Sequence, residues 1–228
     1  MRTRSTSIYK LDRRSWMMQG VYHAIHRIPF LPSAGRYNLS ISHDKKFIWF
    51  RVAKVGTQTI YRLDFKRNKI TLDAEYAYSM RYPSNLYRDY FKFAFVRNPW
   101  DRLVSYWQFR VFRYPRDDFS EAELEQMKDF RNFVDYVADF EVETCRDIHI
   151  RLQSALIDLN EIDYLGRMET FDDDAHKIFH HLGIKSRDLV PENVNPDKRP
   201  YQEFYDTHLV EKVGQIYQKD IQLFGYRF

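Results

Sequence analysis

The chain has 228 residues, 44% of them hydrophobic and 17% aromatic, with a single cysteine. That suits one compact domain whose core fills without disulfides, and a lone Cys145 excludes an internal bridge. The 36 basic side chains outnumber the 32 acidic ones for a net charge of +4, which favours anionic partners; the two signs are interspersed and no nucleic-acid motif accompanies them, so nucleic acid is not a predicted partner.

Residues 1–40 mix charge, Pro and Gly with scattered aromatics and predict an irregular arm, with the domain proper at 41–228. His23, His26, Arg27 and Pro29 interrupt the apolar character after the basic start. Neither a signal peptide nor a stable membrane insertion is predicted, and a cytoplasmic location is expected. The run Lys46 to Val52 is apolar and rich in strand formers; it leads into Ala53-Lys54-Val55-Gly56-Thr57-Gln58-Thr59 and then a helical pattern from Ile60. The same order returns at Phe91 to Val96, where a strand precedes Arg97-Asn98-Pro99-Trp100-Asp101-Arg102 and an amphipathic helix. Asn98 is placed to cap that helix, Pro99 suits its first turn, and Asp101 meets its free amides.

Further on, Phe130, Phe133, Val134, Val137 and Phe140 recur at helical spacing. A third strand is predicted at 162–168, and Asp172, Asp173 and Asp174 head a helix that ends near Gly183. A polar loop at 191–200, a helix over 207–220 and a short tail close the chain. Two strand-to-helix turns and a third strand point to an α/β fold of the P-loop-like, three-layer kind, with a central parallel sheet flanked by helices. No repeat, heptad pattern or self-complementary apolar face assigns an oligomeric state.

Two segments carry chemistry. Lys54, Gly56, Thr57 and Thr59 place a cation, a glycine turn and two hydroxyls at a helix start, where unpaired amides and the dipole favour an anion. The lysine precedes the glycine, so this is not a Walker A loop. Arg97 at a strand end and Ser105 in the following helix can hold a second phosphate between a guanidinium and a hydroxyl. Two anion sites at the carboxyl ends of two strands fit a nucleotide with phosphates at both ends.

On these residues the chain resembles the sulfotransferases that use 3'-phosphoadenosine 5'-phosphosulfate (PAPS), and within them the carbohydrate sulfotransferase branch, over roughly residues 43–226. Arg97 through Ser105 is the most specific match, with Trp100 where the family has Phe. Ile162 to Phe171 and Tyr217 to Tyr226 look like the same branch. The resemblance implies PAPS as donor, PAP as product, no metal, and a hydroxyl acceptor of carbohydrate class. It places the 5'-phosphosulfate on Lys54, Val55, Gly56, Thr57, Gln58 and Thr59 and the 3'-phosphate on Arg97 and Ser105, with Lys198 or Arg199 as a further clamp. Lys54 would also act in catalysis. Two residues compete as general base: Glu75, a carboxylate soon after the lysine loop with Asp73 nearby, and His149, whose stretch through Gln153 resembles a segment near the acceptor in the carbohydrate branch. Tyr78, Tyr82, Tyr114 and Trp107 are candidates to line an acceptor groove. His176, His180 and His181 share a helix face without a convincing further ligand, so no zinc site is predicted. Membrane anchors and cysteine pairs like those of the Golgi enzymes are not seen, which favours a soluble relative. Two other readings stay open: a P-loop nucleotide kinase, for which the Walker pattern is missing, and a nucleotide-binding module without turnover.

Overall fold

The computed structural model describes residues 36–65, 68–75, 80–81, 84–115, 119–184 and 199–228. Among the described residues the strands are β1 (Arg36–Tyr37), β2 (Leu39–Ser42), β3 (Phe47–Phe50), β4 (Ala74–Glu75), β5 (Met80–Arg81), β6 (Phe91–Val96) and β7 (Tyr164–Arg167). β1 and β5 pair as a separate two-stranded ribbon, and the central sheet has the order β4-β2-β3-β6-β7. β3, β6 and β7 run parallel, with Phe50 beside Ala94 and Val96 beside Arg167, so their carboxyl ends form one edge. β3 and most of β6 are buried and almost wholly apolar, as expected of parallel strands covered on both faces. Their aromatics interlock: Trp49 stacks on Phe93 at 5.9 Å and Phe47 on Phe65 at 5.3 Å between centroids.

The predicted α/β architecture is present, and the structure enlarges its sheet. β2 joins β3 antiparallel through a tight turn at His43–Lys46, and β4 pairs antiparallel with β2. Leu39 and Ser40 are therefore buried sheet residues inside the stretch read as an arm. β2 was missed because four residues, LSIS, carry too little periodicity to be told from a loop; its place is set by pairing with β3.

The helices are α1 (Thr57–Thr59), which continues into a π-helical turn at Ile60–Phe65; α2 (Pro99–Trp107), which continues into a second at Gln108–Arg113; α3 (Glu121–Gln126); α4 (Phe130–Ala138); α5 (Phe171–His181); α6 (Thr207–Ile216); and α7 (Gln218–Phe224). Asn98 caps α2 by accepting from the Trp100 amide, with Pro99 in the first turn as predicted. α4 buries Phe130, Phe133, Val134 and Val137, while Phe140 lies beyond its end and is exposed. Asp172–Asp174 do open α5, and Gly183 follows its end at φ 61°. The single helix expected over 207–220 is two, broken at Tyr217 (φ −107°, ψ 21°), whose hydroxyl donates to the Ile150 carbonyl. Among the described residues no helix is long and apolar enough to cross a membrane.

Candidate active site

The turn after β3 contains two left-handed residues, Lys54 at φ 71° and Gly56 at φ 75°. Glycine tolerates that conformation; a lysine there is strained and must be held by its surroundings. The holding groups come from α2, the end of β6 and the first residue of α1. Arg97 donates from Nη1 to the Lys54 carbonyl at 3.1 Å, Arg102 from Nε to the Ala53 carbonyl at 3.2 Å, and Thr57 Oγ1 to the Val52 carbonyl at 3.3 Å. The N–H groups of Val55, Gly56 and Thr57 have no acceptor among the described residues. A Cβ on Gly56 would stand 3.0 Å from the Phe171 ring and 3.2 Å from Met168 Sδ, so only glycine lets the turn sit this low. The result is a shallow cradle of amides beside a cation, the donor set of an oxyanion site.

Lys54 is mostly buried, and its Nζ lies 4.2 Å from the centre of the Phe109 ring. Burial, followed by the charges of Arg97, Arg113 and Arg102, lowers its pKa to about 7. Of these four cations only Arg97 has a carboxylate partner among the described residues. Arg102 is fully buried and spends its guanidinium on carbonyls of Ala53, Ile148 and Arg151, while Arg113 is exposed beside Tyr114. Positive charge is thus concentrated where the carboxyl ends of β3 and β6 meet.

Arg97 is not a freely presented phosphate ligand. Its Nε and Nη2 reach Asp101 at 2.8 and 2.7 Å and Nη1 holds the Lys54 turn, leaving one N–H on each terminal nitrogen. Ser105 follows Asp101 by one turn on the same face of α2 and its hydroxyl has no partner among the described residues. Gln153 pairs with the Arg97 backbone in both directions, N–H to Oε1 and Nε2–H to carbonyl, each at 2.9 Å. Asp220, wholly buried in α7, accepts in turn from the Gln153 and Ser154 amides. The two late stretches that resemble the family converge on the next residue: Glu169 accepts from the Asn98 amide and from the Tyr226 hydroxyl, and Asn98 Nδ2 donates to the Arg227 carbonyl. Arg199, exposed, lies two residues before Tyr201, whose hydroxyl accepts from Asn98 Nδ2.

His149 stands on the same ground. Its ring stacks on Tyr106 at 4.9 Å and on Phe109 at 6.0 Å, the ring that also carries Lys54. Its Nδ1 is 2.7 Å from Asp147 Oδ1, and Asp147 Oδ2 accepts from the Tyr106 hydroxyl at 2.7 Å. Phe109 and Asp147 were not singled out from the sequence; the Asp-x-His spacing was the available sign. Glu75 sits on β4, paired with Ser40 two strands away from β3, and its side chain lies outside the described residues. Tyr78, Tyr82 and Lys198 also lie outside them. Trp107 is a core residue, donating from Nε1 to the Met127 carbonyl, so it cannot line an acceptor groove as expected; Tyr114 is exposed. His176, His180 and His181 border an open cavity of about 600 Å³ at the amino ends of β6 and β7, opposite the Lys54 turn. Among the described residues no three His, Cys, Asp or Glu side chains come together as a metal-binding group. Cys145 is half-buried, and its pKa is raised by that partial burial.

A strand-to-helix turn with amides beside a cation, and an arginine from the end of the neighbouring strand donating to it, is an arrangement suited to an anion at the carboxyl edge of an α/β sheet. The model of the sulfotransferase family matches residues 37–227, and the chain belongs to that family. Among curated proteins it is similar to carbohydrate sulfotransferase 12 of Mus musculus, 27% identical over 170 residues that cover 61% of this chain and 41% of the relative. It is also similar to carbohydrate sulfotransferase 10 of Xenopus laevis, 26% identical over 169 residues, 60% of this chain and 48% of that one. The match thus spans less than half the length of either relative. No solved structure matches.

Proposed function

We propose that this chain transfers the sulfuryl group of PAPS to a hydroxyl of a carbohydrate acceptor. The observation that carries the reading is the concentration of cations around Lys54 beside amides that have no acceptor among the described residues, which suits the 5'-phosphosulfate. The family and the names of the two relatives support the reaction and the acceptor class. On this reading Lys54 and the 55–57 amides hold the 5'-phosphate, while the remaining Arg97 donors and Ser105 hold the 3'-phosphate, with Arg199 at its rim.

In the transfer the acceptor oxygen forms a bond to sulfur as the bond from sulfur to the 5'-phosphate oxygen breaks, and the electron pair of that bond leaves with the phosphate. Lys54 neutralises the departing charge. The acceptor proton goes to His149, favoured over Glu75 because it shares the Phe109 ring with Lys54.

A thermal-shift titration with PAP, AMP and ATP with Mg²⁺ tests the nucleotide site, since ligand at about 100 times its Kd adds roughly 2.7 kcal/mol. PAP should stabilise most strongly, and a preference for ATP would end the proposal. With PAPS and a set of glycans, Lys54→Ala should lose most turnover while Arg97→Ala should chiefly raise KM for PAPS. PAP binding without turnover on any hydroxyl acceptor would point instead to a binding module.

A further inference from the structure

Resting on the sulfotransfer reading, we propose that Asp147 is a positioning residue for the acceptor step: it fixes His149 as the Nδ1–H tautomer and so leaves Nε2 as the proton-accepting atom. The geometry leaves the imidazole one arrangement. Asp147 Oδ1 receives the His149 backbone amide at 2.9 Å as well as Nδ1 at 2.7 Å, and Oδ2 receives the Tyr106 hydroxyl at 2.7 Å. Burial alone would raise the Asp147 pKa, but the His149 and Tyr106 contacts outweigh it and hold the carboxyl well below the usual range. An ionised carboxylate only accepts, so Nδ1 must carry the hydrogen. The neutral ring then has its lone pair on Nε2, which has no hydrogen-bond partner among the described residues.

Tyr106 and Phe109 stack on the ring at interplanar angles of 13° and 17° and hold its plane, and within that plane the Asp147 contact selects the orientation with Nδ1 toward the carboxylate. The charged and titratable groups that face it are Asp147 from its own segment, Tyr106 and Arg102 from α2, and Lys54 from the turn after β3. Burial foremost, with Lys54 and Arg102, lowers the His149 pKa, and Asp147 opposes them. The imidazole is therefore held neutral and basic near pH 7, while Asp147 stabilises the imidazolium that forms when a proton arrives.

Two substitutions in the full chain test this. In Asp147→Asn the countercharge is lost, so the His149 titration followed by ¹⁵N NMR should move to lower pH and the Nε2–H tautomer should appear. With PAPS and a glycan acceptor, kcat should fall about 10²-fold, the acid limb of kcat/KM should move down with the histidine, and KM for PAPS should hold. Tyr106→Phe keeps the carboxylate but removes a hydrogen bond that disperses its charge, so the His149 titration should move the opposite way. It supplies the same NMR readout if the Asn variant fails to fold. An unmoved titration and tautomer in Asp147→Asn, or shifts of the same sign in both variants, would overturn the assignment even if kcat fell. Wild-type protein that neither binds PAP nor sulfates a glycan would overturn the sulfotransfer reading itself, whereas PAP binding and turnover with an unmoved histidine would remove Asp147 alone.

Discussion

Lys54 combines a left-handed backbone, a mostly buried ammonium and three arginines near enough to repel it. A non-glycine residue in that conformation costs of order 1–3 kcal/mol and persists where its surroundings impose it. Here the Arg97 and Arg102 hydrogen bonds to the turn carbonyls do so. Its pKa, lowered from 10.5 to about 7, has two consequences with definite signs. Between those values the folded chain binds fewer protons at this site than the unfolded one, so the ligand-free fold gains stability from it as pH rises from about 7 toward 10.5. An anionic ligand reverses the preference and favours the ammonium, so PAP binding should take up a proton above pH 7. Its Kd should weaken by up to about tenfold per pH unit there. Calorimetry at pH 8 in buffers of different ionisation enthalpy reads the uptake directly, and Lys54→Met should abolish it. No uptake in the wild type would mean that Lys54 does not meet the phosphates.

At the level of single elements, β7 shows what one missing Cβ achieves. A side chain on Gly166 would come within 2.6 Å of Phe95 Cε1, and Phe95 is wholly buried between β7 and Phe171. Gly166→Ala should cost about 1–3 kcal/mol by overpacking, or roughly 2–12 °C in Tm for a chain of this size. Phe95→Leu makes room, so the alanine should cost less in that background; strictly additive losses would show that the ring is not what the glycine accommodates. β6 and its turn into α2 were legible in the sequence because their signals are local: an apolar run, then Asn98 and Pro99 as helix-start residues. β2, β4 and the break at Tyr217 were not, since pairing and a buried hydroxyl contact impose them from elsewhere in the chain. The site divided likewise. The Lys54 and Arg97 segments were readable as strand-to-helix turns. The roles of Arg102, a mid-helix arginine that reaches carbonyls of residues 53, 148 and 151, and of Phe109 required the fold.

Across the whole molecule, the carboxyl-terminal quarter braces the carboxyl edge of the sheet. Asp220 accepts two amides at 2.7 and 3.0 Å, one of them from Gln153, and Gln153 brackets the Arg97 backbone. A carboxylate 67 residues from Gln153 in sequence therefore steadies the strand end that presents Arg97. Asp220→Asn places an amide group where two donors require acceptors, with a penalty of about 1–3 kcal/mol and roughly 2–12 °C in Tm. If the relay reaches Arg97, the loss will not be uniform: PAP, which carries a 3'-phosphate, should lose more affinity than AMP, which does not. Measuring both Kd values well below the lowered Tm separates the two effects. A smaller PAP-to-AMP preference would show that α7 helps to set the 3'-phosphate site, whereas a lower Tm with that preference intact would confine Asp220 to stability.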